Sequence, residues 1–165
     1  MTRAQSLAAS LTSGTFTGST LTSPTINFPT ENAPVIIAPE ERWTVSGSAP
    51  AATTQFDANT QGVLYYTGTS ANNWTLNVRG DSGSTLAAKL NVGDSFTLSL
   101  IVTNTTAYYQ TALTIDGNAQ TVKWSGGTAP SAGNASSTDV YQFTIVKTAA
   151  TPTYTVLGAG PVKYA

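Results

Sequence analysis

The chain contains no cysteine and no histidine. Without cysteine no disulfide framework staples the fold, and the redox compartment is not written in the sequence. Without both residues the chain has no Ser–His–Asp or Cys–His nucleophile, none of the usual zinc ligand sets and not the commonest general base. Charge is scarce as well: charged residues make up 9% of the chain, against about 25% in an ordinary soluble domain. The basic residues Arg3, Arg42, Arg79, Lys89, Lys123, Lys147 and Lys163 are scattered, so the clustered footprint of a nucleic-acid binder is missing. No run reaches the ~18 apolar residues of a membrane-spanning helix, and no membrane insertion is expected. The opening MTRAQSLAAS has no apolar stretch of signal-peptide length, so synthesis in a cytoplasm is the expectation.

What the chain has instead is Thr, Ser, Asn and Gln, which must wet its surface. Thr is also β-branched and suits strands. Residues 1–33 stand apart. LTSGTF at 11–16 is nearly repeated as LTSPTI at 21–26. Apolar residues there are isolated (Leu7, Leu11, Phe16, Leu21, Ile26, Phe28), and Pro24 and Pro29, with Pro34 just beyond, oppose a helix and favour extended backbone. This reads as an extended arm. A lone extended segment satisfies neither its backbone groups nor its few apolar side chains. Three copies around an axis can close into a prism with those side chains inward. Alternatively the arm adds a strand to a neighbouring protein, or it is a disordered tail when free.

From residue 34 to 165, short strand patterns alternate with turn signals. Short strands are expected at 35–37 and 42–46, and a loop over 47–54. In 74–79 the residues Trp74, Leu76 and Val78 share one side, as a half-buried strand requires. Phe96, Leu98, Leu100 and Val102 alternate with polar positions and Ile101 over 95–103. Residues 104–106 then lead to a strand carrying Tyr109, Leu113 and Ile115, and the two runs read as a hairpin. Asp116-Gly117-Asn118 is a second hairpin turn, followed by a strand with Val122 and Trp124 on one face. A small-residue loop fills 126–138. Tyr141, Phe143 and Ile145 then point inward, and a last strand spans 154–157. Residues 85–90 have room for one helical turn. The pattern predicts an all-β fold, an antiparallel β-sandwich, jelly-roll-like, carrying the N-terminal arm.

Several motifs have a plain and a sharper reading. Arg79-Gly80-Asp81 spells an integrin-type tripeptide, but Gly-Asp is ordinary turn chemistry. Asp81, Asp94 and Asp116 lie in turns, where Asp accepts local backbone hydrogen bonds. No carboxylate pair is singled out as a catalytic dyad, and calcium would need more converging oxygens than the Asp-Gly turns supply. No enzyme activity, cofactor or metal is expected. Lys123 and Lys147 interrupt apolar strands, where they are expected at sheet edges, paired with Asp139 or Asp116 or blocking unwanted extension. One Tyr each of Tyr65-Tyr66 and Tyr108-Tyr109 must face outward; these, with Trp43 near the arm junction, suit a subunit interface.

A set of segments carries a family resemblance: NWTLNVR at 73–79, AYY at 107–109, LTIDG at 113–117, VKWSGG at 122–127, DVYQFTIVKT at 139–148 and YTVLG at 154–158. Taken together over residues 62–160, they resemble the carboxy-terminal β-domain of marine bacteriophage tail-fibre and virion appendage proteins. The LTSPTI arm is similar to the repeats of tail-fibre stalks. The resemblance implies a virion structural protein that assembles with other tail or capsid proteins, as a homo-oligomer and most simply a trimer. It brings no catalytic residues. The attachment residues expected on this reading are Leu11, Phe16, Leu21, Ile26, Phe28 and Trp43. A capsid decoration protein and a host-glycan receptor-binding module, with the 126–138 loop as its tip, are the alternatives.

Overall fold

A computed structural model describes residues 43–165. Two sheets enclose one core. The larger has the strand order β1-β3-β5-β9-β10-β8, and the smaller β2-β4-β6-β7. In chain order the strands are β1 (Thr44–Ser46), β2 (Thr53–Asp57), β3 (Val63–Tyr66), β4 (Trp74–Arg79), β5 (Ser95–Asn104), β6 (Gln110–Ile115), β7 (Asn118–Gln120), β8 (Val122–Trp124), β9 (Ser137–Ala149) and β10 (Thr153–Tyr164). A single-turn helix, α1 (Leu86–Lys89), interrupts them between β4 and β5.

The all-β, two-sheet expectation holds, but the pairing is mixed rather than antiparallel. From β1 to β6 the chain crosses to the other sheet after every strand, so β1, β3 and β5 form one parallel ladder and β2, β4 and β6 another. The chain therefore winds as a flattened coil. Antiparallel pairing joins β7 to β6 in the smaller sheet, and β9 to β5 and β10 to β9 in the larger. The expected hairpin between β5 and β6 is absent, because those strands lie in different sheets. Alternation reports that a strand has one buried face; it is silent on which strand lies beside it.

The core lies between the sheets. Phe56, Leu76, Val78, Leu113 and Ile115 come from the smaller sheet, and Leu98, Leu100, Val102, Tyr141, Phe143 and Ile145 from the larger. Edge-on aromatic pairs bridge the layers, Phe56 to Phe96 and Trp74 to Tyr141, each with ring centroids 6.1 Å apart. This geometry is favoured by the ring quadrupoles. The residues read as inward are buried here, with Phe96 and Tyr109 partly so. Strand β2 had no strong sequence signal: its polar residues alternate around a single aromatic, Phe56. The final strand runs on to Tyr164, through a break in register between Ala159 and Val162, rather than stopping at Leu157.

The Asp116-Gly117 turn between β6 and β7 forms as expected. Ile115 pairs with Asn118, and both turn residues have positive φ, 51° and 80°. That two-residue geometry matches the twist of the flanking strands, and glycine enters it without steric cost. The Asp116 side chain does more than close the turn. Its two carboxylate oxygens accept from the Leu86 and Ala87 amides at 2.8 and 3.1 Å, at the start of α1. Thr85 caps the same end through its hydroxyl.

Candidate interaction surface

The outward sides of the two sheets differ in chemistry. On the smaller sheet the outward rows are polar apart from Ala112 and Ala119. Gln55, Asn77 and Thr114 stand side by side in register and are bonded in series. Asn77 Nδ2 donates to Gln55 Oε1 at 2.6 Å, and Thr114 Oγ1 donates to Asn77 Oδ1 at 2.7 Å. The next row pairs Asp57 with Arg79 at 2.6 Å. That hydrogen bond raises the guanidinium pKa further.

Beside this ladder lies an open groove of about 560 Å³, lined by Asn77, Arg79, Asp81, Ser84, Thr85 and Asp116 among others. It contains the ends of the Arg-Gly-Asp tripeptide. Its polar groups are engaged with one another. Arg79 is held by Asp57. Asp81 accepts from Asn59 Nδ2 at 2.8 Å and from the Gly83 amide at 2.7 Å. These bonds, the Asn59 amide first, hold the Asp81 carboxyl below its ordinary pKa. Asp116 is committed to α1. The groove therefore binds its own loop together and offers few free donors or acceptors to a ligand. Among the described residues no aromatic side chain lines it for stacking on a sugar ring.

The other aspartates are similarly employed. Asp94 accepts from the Asn91 amide and side chain. Asp139 is fully buried and accepts from Asn104 Nδ2 at 3.0 Å, the Asn134 amide at 2.9 Å and Asn134 Nδ2 at 2.8 Å. This knot ties the end of the 126–138 loop to β5 and β9. It admits only glycine at 133, where an added Cβ would strike the Tyr108 carbonyl oxygen. Asp139 pairs with neither expected lysine. Lys147 is not at an edge: it is buried on β9, between two other strands, and its Nζ donates to the Ala87 and Leu90 carbonyls at 2.7 Å each. Lys123 does occupy an edge, on β8, and is exposed.

The larger sheet presents the opposite surface. Val45, Tyr65, Ile101, Val140 and Val162 lie in one row across five strands, all at outward positions. Val45 is 60% exposed and Val162 51%. Along the strands on either side lie Trp43, at 49% exposure, and Tyr164, at 60%. Trp43, Val63, Ser99, Ile101, Val140 and Tyr164 line a shallow depression of about 340 Å³ between these aromatics. The remaining outward positions are Thr, Ser, Gln and Ala, with Val146 and Leu157. No charged residue occupies an outward position on β1, β3, β5, β9 or β10; the first is Lys123, on β8 at the margin. An uncharged apolar row on an outer sheet face makes this the candidate interaction surface.

Of the residues read from the sequence as attachment sites, Trp43 lies in this surface. Leu11, Phe16, Leu21, Ile26 and Phe28 lie outside the described residues. Sequence reasoning missed Ile101, Val140, Val162 and Tyr164. A signal was present: Ile101 and Val140 are apolar residues at positions where an alternating strand should be polar. Val162 and Tyr164 lay beyond the expected end of the last strand.

The chain matches no known family model, no curated protein and no solved structure.

Proposed function

We propose that the protein is a non-enzymatic structural component of a bacteriophage particle, a tail-fibre or appendage protein. On this reading its arm, residues 1–33, attaches it or trimerises it, and its β-sandwich supplies further assembly surface. The observation that carries the proposal is the uncharged apolar outer face of the larger sheet around Trp43, Ile101 and Val140. A monomer working alone in water gains nothing from such a face, whereas a particle subunit buries it. The segment set from NWTLNVR to YTVLG, with its resemblance to appendage domains, supports the same reading. So does the employment of all five aspartates from Asp57 to Asp139 in pairing Arg79 across two strands and in holding turns, a helix end and a loop.

Gold-tagged antibody against residues 34–165, applied to particles of the phage that encodes the chain, tests the proposal. Label on the tail is expected. Label over the head would replace the appendage with a capsid decoration protein. Particles free of label would overturn the proposal.

A further inference from the structure

We infer that the apolar outer face of the larger sheet binds a second copy of the same chain, face to face about a twofold axis. The inference deepens the reading of this face as an assembly surface and rests on it. Two observations favour a second copy over a different partner. The face carries no charge at the outward positions of β1, β3, β5, β9 and β10, so a copy of itself meets no like-charge repulsion, and a partner recognised through charge finds no counterpart. The extent is sufficient too. Strands β1, β3, β5, β9 and β10 carry 3, 4, 10, 13 and 12 residues, and at ~4.8 Å between strands and ~3.3 Å per residue their outer face spans roughly 670 Å², or about 1,300 Å² over two copies, above the ~1,000 Å² that a specific interface needs.

The twofold makes a geometric demand. When the axis crosses the centre of the row, the residue there faces its own copy, whichever in-plane direction the axis takes. The middle member of Val45, Tyr65, Ile101, Val140 and Val162 is Ile101. Because the chain contains no cysteine, a single introduced thiol reports this contact without background.

The test uses the full chain. Sedimentation of the wild type should show self-association, and Val162→Glu, at an exposed position near the end of β10, should weaken it at least tenfold. Ile101→Cys should be linked to its own copy by a short bis-maleimide, whose reach covers the ~10 Å between packed sheets that a disulfide cannot span, while Thr75→Cys, outward on the smaller sheet, should stay unlinked. Circular dichroism of each variant guards against misfolding, and Val140→Thr, which keeps β-branched shape, serves if a charged variant fails to fold. A wild type that stays monomeric at the highest concentration reached overturns the inference. So does an oligomer indifferent to Val162→Glu whose Ile101→Cys form stays unlinked. Immunogold separates this failure from that of the particle reading. Labelled particles with a chain that does not self-associate sink only the second copy. Self-association through this face with unlabelled particles sinks only the phage component.

Discussion

Asp116 and Lys147 grip opposite ends of the same one-turn helix. The Asp116 carboxylate accepts from the first amides of α1, and the Lys147 ammonium donates to the Ala87 and Leu90 carbonyls at its far end. The arrangement has the sense the helix dipole requires, an anion at the amino end and a cation at the carboxyl end. A four-residue helix cannot persist on its own propensity. Here the β6–β7 turn of one sheet and β9 of the other hold it over the core, where it inserts the fully buried Leu86.

Removing either grip should cost stability. Asp116→Ala leaves the Leu86 and Ala87 amides without their acceptor, and Lys147→Met leaves two carbonyls without their donor. Each is expected to destabilise the domain by about 1–3 kcal/mol. The double variant should lose less than the sum, because once one end is released the helix no longer presents the other correctly. Urea unfolding of the two single variants and the double variant measures this; strict additivity would show that the ends act independently.

The buried Asp139 should be the most sensitive carboxylate in the domain. Asp139→Asn preserves shape but turns an amide donor toward Asn104 and Asn134, which already donate into the site. A loss of about 2–4 kcal/mol is expected, as for a buried group left facing its like. The loop over 126–138 should also become the first site of proteolytic cleavage. Thermal melts and limited proteolysis check both; an intact loop at wild-type stability would contradict the role given to Asp139.

Alkali should unfold the domain through Tyr141. Its hydroxyl lies in the core, where desolvation pushes its pKa well above the ordinary value, more than the Gln110 amide lowers it. For an acid whose folded pKa is raised, the stabilisation is complete below the unfolded pKa and is lost as pH rises from there toward the folded one. Stability should therefore fall once pH passes ~10, the unfolded tyrosine value. Tyr66 and Tyr154, also raised by burial, add to the same limb. Tyr141→Phe should flatten the limb in unfolding midpoints measured against pH. An unchanged alkaline slope would assign the loss elsewhere.

The parts of this fold that were legible are those in which neighbouring residues decide the outcome. The alternation of Trp74, Leu76 and Val78, of Leu98 to Val102, and of Tyr141 to Ile145 placed each side chain correctly, and Asp116-Gly117 announced its turn. Pairing was not legible, because a strand with one buried face looks the same beside any neighbour. Lys147 was misplaced for a related reason. Within its strand it interrupts an apolar pattern, and only the helix folded across it, some sixty residues earlier in the chain, supplies its acceptors. The interaction surface was half visible: Trp43 stood out by type, whereas Ile101 and Val140 were hidden among apolar neighbours that face the other way.

The winding of β1 to β6 makes this a domain that can unravel from one end. Each pass of the coil lays one strand on each sheet, and the outermost pass, β1 with β2, is held along one side only. The middle of the larger sheet is clamped differently, with β9 bonded along its length to both β5 and β10. Protection of backbone amides from hydrogen exchange should accordingly climb in steps, from β1 and β2 through β3 and β4 to a plateau at β5 and β9. A domain tethered in a particle by its amino-terminal side would then yield to tension strand by strand, while the half carrying β9 and β10 stayed whole.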